Sequence, residues 1–165
     1  MPDSDLRPVG DRTAEVVQQF RRAYVDRNVD KMMECFADDA VVIVGVGTFR
    51  GPREIRRFLA WDVGLSPSME SRDVGIGLLI AGSVAVQESV IDATYEGIGY
   101  QHPVATMYEI DGTGKIGRLA SYYDKLAINQ QIAAKYPGGR GWIFRKMVDT
   151  LVSQGRKGLE PAASA

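Results

Sequence analysis

Apolar residues recur at two different spacings along this chain, and the change from one to the other falls near Met69. Over residues 13–27, Val16, Val17, Phe20 and Tyr24 return every three or four positions, with Glu15, Gln18, Arg21 and Arg22 between them, which predicts an amphipathic helix. Asp11 or Thr13 suits its N-cap. Asn28 and Asp30 interrupt the pattern, and Met32, Met33, Cys35 and Phe36 predict a short second helix that stops at the Asp38-Asp39 pair. Two carboxylates at a helix C-terminus oppose its dipole, so a turn is expected there. Residues 40–46 form a continuous apolar, largely β-branched run, the pattern of a strand covered on both faces. A glycine turn over residues 47–51 follows. Pro52 then suits the first position of a third helix, with Ile55, Phe58, Leu59 and Trp61 as its stripe and an end near Gly64.

Beyond Met69 the texture becomes that of long strands, expected over residues 70–80, 83–95, 101–110 and 116–123. Ala81-Gly82, the corner at Gly97 and Gly99, and Asp111-Gly112-Thr113-Gly114 are the links. Consecutive strands on short links predict an antiparallel sheet, and the lack of βαβ alternation argues against a doubly wound nucleotide fold. Asp124 reads as the cap of a helix over residues 125–135. A Pro/Gly break over residues 136–141 leads to a further amphipathic helix marked by Ile143, Met147, Val148 and Leu151. The expected organisation is a disordered N-terminus (residues 1–12), one α+β domain (13–135), a C-terminal helical extension (136–154) and a frayed tail (155–165).

Composition narrows the function. A chain of 165 residues that is 45% hydrophobic supports one domain with a sizeable core. Lys plus Arg is 20 against Asp plus Glu at 21, so no basic excess is available to neutralise phosphates, and nucleic acid is not an expected partner. Cys35 is the single cysteine; it reads as a buried small hydrophobe in a reducing compartment. No apolar run approaches the roughly 20 residues that span a bilayer, so a cytoplasmic location without membrane contact is expected. Gly45, Gly47, Gly75 and Gly77 form no phosphate-binding loop, because no GxGxxG links a strand to a helix. No His/Cys cluster favours a metal, and no cofactor is expected.

Two segments then bring a family into view. FADDAVV followed by FRGPREIRRF, and later IDGTGKIGRLASYYD, resemble the first strand, glycine-to-helix junction and final hairpin of the SnoaL-like group in the nuclear transport factor two superfamily. That superfamily also holds ketosteroid isomerases, limonene epoxide hydrolases and small phenazine-pathway proteins. The resemblance covers roughly residues 13–132. It implies a cystatin-like α+β cone: a curved antiparallel sheet wrapped around the N-terminal helices, an apolar pocket between them, and extra C-terminal helices. Carried over residue by residue, the base of the isomerases falls at Val44, their oxyanion-hole tyrosine at Phe20 and their protonated acid near Thr106. The epoxide hydrolase triad falls at Ser89, Ile91 and Ser121, and the acid of the cyclases and phenazine proteins also falls at Ser121. None of these residues carries a charge.

Side chains alternate along a strand, so a slip of one residue in the strand 83–95 exchanges Gln87, Ser89 and Ile91 for Glu88, Val90 and Asp92 on the inner face. The first register is favoured because it keeps unpaired carboxylates out of an apolar interior. Glu88 and Asp92 then belong to the convex face. The candidate substrate-binding residues are Phe20, Tyr24, Val44, Phe58, Trp61, Ser89, Ile91, Thr106, Tyr108, Ser121 and Tyr123, joined by Val42. His102, the only histidine, is the candidate catalytic acid or base; as a strand-start residue before a proline it also fits a plain rim position. Tyr24, Tyr108 and Tyr123 suit neutral donors to an oxyanion, or simple core filling. Asp62, Glu70 and Arg72 read as solvated groups near the mouth.

The expected function is a cofactor-independent cyclase, isomerase or epoxide-opening hydrolase acting on an apolar, oxygenated small molecule such as a polyketide or terpenoid intermediate. The alternative is a non-catalytic binding or dimeric interaction module of the same fold. A homodimer through the convex sheet face is expected in either case.

Overall fold

The computed structural model describes residues 9–65 and 68–155; the expected terminal disorder of residues 1–8 and the tail from 156 to 165 lie outside the described residues. Helix α1, Val9–Val25, begins four residues before the predicted start, so the expected disorder of residues 9–12 is corrected. Neither Asp11 nor Thr13 caps it. Thr13 is fully buried and donates to the Gly82 carbonyl at 2.9 Å, because its hydroxyl finds an acceptor on a neighbouring turn rather than on its own helix.

Helix α2, Val29–Met33, is capped by Asn28, whose side chain accepts from the Lys31 amide at 3.0 Å. It ends before Cys35, and the chain enters strand β1, Phe36–Val44, which already contains Asp38 and Asp39. The expected turn at that pair is therefore absent. The pairing of β1 with strand β6 (Ile116–Tyr123) shifts register between Phe36 and Val41, and Asp38 and Asp39 are both exposed at this irregular stretch, which lets carboxylates ride in a strand. The Cys35 thiol is buried, and desolvation pushes its pKa up to about 11, consistent with an inert core sulfur.

The predicted glycine turn over residues 47–51 is a strand instead. Strand β2, Gly47–Arg50, folds back on β1 in antiparallel register from Val41 opposite Arg50 to Val44 opposite Gly47, with Gly45 and Val46 as the turn. Helix α3, Gly51–Leu65, starts at a glycine with φ +69°, and the Glu54 carboxylate accepts from the Arg50 amide at 2.9 Å. Ile55, Phe58, Leu59 and Val63 are its buried face, whereas Trp61 stands 47% exposed at the edge of the predicted stripe.

Strands β3 (Met69–Ala81), β4 (Val84–Tyr95), β5 (Ile98–Ile110) and β6 (Ile116–Tyr123) follow in hairpin sequence. The curved, unclosed six-stranded sheet has the order β2-β1-β6-β5-β4-β3. It is not wholly antiparallel as expected, since β1 and β6 run parallel, with Val42 beside Leu119. These two strands are far apart in sequence, so no hairpin fixes their relative direction and sheet closure decides it. Between Asp73 and Leu78, β3 bulges around Glu88, whose carboxylate accepts from the Ile76 amide at 3.3 Å.

Asp124 caps helix α4, Lys125–Lys135, accepting from Leu126 and Ala127 at 2.9 and 3.0 Å, as predicted. Helix α5, Gly138–Gly155, leaves only Tyr136 and Pro137 as the break, because Gly138 to Gly141 join the helix. The Arg145 guanidinium secures the junction by donating to the carbonyls of Ala133 and Tyr136. The main core lies where α1, α2 and α3 pack on the concave side of the sheet, around Val17, Met32, Val42, Ile55 and Ile116.

Candidate functional site

The sheet curls over α1 and α3 without filling the space beneath it, leaving a cavity of about 1250 Å³ that α4 and α5 border at its open side. Every residue predicted from the sequence to line a pocket borders it: Phe20, Tyr24, Val42, Val44, Phe58, Trp61, Ser89, Ile91, His102, Thr106, Tyr108, Ser121 and Tyr123. The strand β4 has the register favoured above. Gln87 and Ser89 are buried on the inner face, while Glu88 turns to the β3 bulge and Asp92 accepts from the Gln101 side chain at 2.7 Å.

Two polar groupings interrupt the apolar walls. At one, the Tyr108 hydroxyl donates to Gln87 Oε1 at 3.2 Å, Gln87 Nε2 donates to Asp73 Oδ1 at 3.1 Å, and Arg21 forms an ion pair with that same carboxylate. Beside it the Thr106 and Ser121 hydroxyls share a hydrogen bond of 3.1 Å. Tyr108 is thereby a committed donor; burial raises its pKa well above the tyrosine range and keeps it neutral.

At the other, Tyr24 on α1 donates to Asp62 Oδ2 on α3 at 2.6 Å. No other described residue forms a hydrogen bond with that carboxylate. Burial raises the Asp62 pKa, and the Tyr24 hydrogen bond opposes only part of that rise. The Tyr24 pKa moves up as well, first through burial and then through the Asp62 charge. Tyr100 and Tyr123 are also raised, again by burial first and by the Asp62 charge second, so both lie within electrostatic reach of this carboxylate. Asp62 is thus half-buried and borders the cavity, where the sequence reading places it among solvated groups near the mouth. The reason is helical phase: Asp62 lies three, four and seven positions after Leu59, Phe58 and Ile55, on the face that α3 turns inward.

His102 sits between two tyrosines, with its ring centroid 5.8 Å from that of Tyr100 and 5.5 Å from that of Tyr123. Its Nδ1 is buried and has no hydrogen-bond partner among the described residues. Burial lowers the His102 pKa, against a smaller opposing pull from Asp92, so the imidazole is neutral at pH 7. Tyr123 is itself seated over Gly45, where an added Cβ would stand 3.0 Å from the tyrosine hydroxyl. Sequence reasoning missed Tyr100 because the strand was begun at Gln101; extended to Ile98, alternation puts Tyr100 on the inner face with His102 and Val104. Among the described residues no group of three His, Cys, Asp or Glu is placed to hold a metal. The arrangement provides one carboxylate with a raised pKa, one neutral imidazole and several neutral hydroxyl donors around an apolar space.

Known structures share this architecture at low sequence identity. An LEH-like epoxide hydrolase of M. tuberculosis is 19% identical, with a TM-score of 0.65 over 87% of this chain and 96% of that one. A protein of ketosteroid isomerase-like fold from Catenulispora acidiphila, solved in complex with trimethylamine, is 21% identical, with a TM-score of 0.64 over 71% of this chain and 91% of its own. A candidate SnoaL-like polyketide cyclase from a Jannaschia species is 15% identical, with a TM-score of 0.68 over 82% of this chain and 100% of its own. At these identities the likeness establishes the fold alone. No curated protein matches the chain significantly. The family model of the SnoaL-like domain matches residues 17–119, from within α1 to the middle of β6, and the chain therefore belongs to the SnoaL-like domain family.

Proposed function

We propose that this protein binds an apolar, oxygenated small molecule in the concave cavity and promotes its isomerisation, cyclisation or epoxide opening without a cofactor. The observation that carries this reading is the cavity itself: about 1250 Å³, walled mainly by aromatic and aliphatic side chains, with polar groups such as Asp62, Gln87, Ser89 and His102 among them. Ligand pockets usually span about 300–1,000 Å³, so a drug-sized or larger molecule fits. Burying about 200 Å² of apolar ligand surface supplies about 5 kcal/mol before the cost of association, and the hydroxyls and His102 orient what the walls attract. Confinement of a flexible substrate lowers the barrier of an intramolecular reaction further. His102, whose ring borders the cavity, serves as a hydrogen-bonding or proton-accepting group beside the bound oxygen.

One observation favours a second reading, a binding module of the same fold that performs no chemistry. The strand positions at which related enzymes keep their acids, and in the epoxide hydrolases an arginine, are occupied by Val44, Ser89, Ile91, Thr106 and Ser121, and all of them border the cavity without a charge.

Native mass spectrometry of the purified protein, followed by a titration with acetylnaphthalene as an apolar aryl ketone probe, tests the shared premise. A Trp142→Phe background leaves Trp61 at the cavity as the sole reporter of fluorescence. The expected result is saturable one-to-one binding that is lost in Ile91→Phe combined with Ser89→Phe, whose rings fill the space above the sheet without adding a tryptophan. Binding that survives this double substitution unchanged would place the ligand elsewhere and end both readings.

A further inference from the structure

The strand acids of related enzymes are absent, yet the cavity is not without a carboxylate. Asp62 reaches it from α3, on the helical face shared with Ile55, Phe58 and Leu59, and Tyr24 grips one of its oxygens at 2.6 Å from α1. That grip fixes the carboxylate and leaves its other oxygen without a hydrogen bond from any other described residue. Around the same space stand Tyr100, Tyr123 and His102, packed ring against ring. From this geometry we propose that Asp62, oriented by Tyr24, is the general base of the cavity, supplied by a helix instead of a strand.

The inference rests on reading the cavity as a small-molecule site. Its chemistry is balanced by the ligand alone. Asp62 takes a proton from a carbon next to a carbonyl; the C–H bond breaks, its electron pair passes into an enolate, and the carboxylate becomes a carboxylic acid. Returning the proton to another carbon completes an isomerisation, and attack of the enolate on a second carbonyl, with the proton delivered to the new alkoxide, completes a ring closure. Neither route needs an oxidant or reductant. The hydroxyls of Tyr100 and Tyr123, kept neutral by burial and by the Asp62 charge, are suited to hold the enolate oxygen. The raised Asp62 pKa strengthens the base once it is ionised, which is what abstraction of a weakly acidic proton requires. A carboxylate used only to tie α1 to α3 would not need a cavity in front of it.

Nitrobenzisoxazole tests this without knowledge of the natural substrate. A base removes its ring proton, the C–H electrons form a nitrile, and the N–O bond opens to a coloured phenolate. The wild-type chain is expected to turn it over with kcat/KM rising with pH to a plateau, through an inflection above the ordinary carboxylate range. Asp62→Asn should lower kcat/KM by at least about 100-fold, the usual contribution of a general base, and Asp62→Glu should retain part of the activity. Tyr24→Phe should lower the plateau of kcat/KM less than Asp62→Asn does and move the inflection to higher pH, because the hydrogen bond that orients Asp62 and lowers its pKa is gone. A merely structural tie predicts no such movement. Full activity in Asp62→Asn, with acetylnaphthalene still bound, overturns the proposal and leaves the cavity reading intact. Loss of acetylnaphthalene binding by the wild type overturns both. Activity abolished by His102→Gln but untouched by Asp62→Asn assigns the base to the histidine and also overturns the proposal.

Discussion

Asp62 shows how one side chain couples stability to chemistry. Its pKa in the folded state lies above the unfolded carboxylate value of 3.8, so between the two the folded chain holds a proton that the unfolded chain has released. Folding stability therefore falls as pH rises from about 4 through the folded pKa, because an ionised carboxylate must then be kept in the cavity wall. Asp62→Asn removes this term. Urea denaturation at pH 4 and at pH 7 is expected to show the wild type losing stability relative to the variant over that interval; a difference that is constant, or that changes in the opposite sense, contradicts the burial of this group. The same residue marks a limit of sequence reading. Aspartate beside an exposed tryptophan looks solvated, and only the phase of the helix, read seven positions back to Ile55, points it inward. His102 was legible as a member of the inner face by alternation, whereas its stacking between Tyr100 and Tyr123 depends on where β5 begins and on a strand from the other side of the hairpin.

At the scale of elements, the position of α1 governs both polar groupings, because Tyr24 and Arg21 reach them from this one helix. Thr13 anchors its first turns to the β3–β4 turn through the bond to Gly82, a contact across 69 positions of sequence. Thr13→Val preserves the shape and removes the hydrogen bond, so a loss of about 1–2 kcal/mol is expected, visible as a drop of a few degrees in Tm by calorimetry. An unchanged Tm would mean that α1 is held by its apolar face alone. The α4 cap at Asp124, the Asp111 hairpin and the α3 stripe were all readable, since each depends on neighbours within a few residues. Strand β2 was not. Its sequence, GTFR, is too short to carry a period, and it is a strand because β1 offers an edge beside it.

For the whole molecule, we propose that the convex face of the sheet meets a partner. The register puts Val90 beside Pro103, Val86 beside Met107, and Ala105 beside Tyr122, which is 54% exposed. A second copy of the chain is the proposed cover, since a two-fold axis would set this face against itself. Light scattering should give twice the 18.1 kDa of one chain, and Val90→Arg should return it to a single-chain mass. A monomer at micromolar concentration in the wild type refutes the dimer. Among the described residues no helix is long and apolar enough to cross a membrane.

Local periodicity sufficed for the α+β class, the existence of α1 and the extent of α4, the long hairpins and the inner face of β4 and β5, because periods of 3.6 and 2 are properties of short windows that a core then selects. Tertiary structure alone decided that β6 runs parallel to β1, that β3 bulges around Glu88, and that Asp62 meets Tyr24 across 38 positions of chain. Those features arise where distant segments close on one another, and the free energy that selects them is absent from any short window of residues.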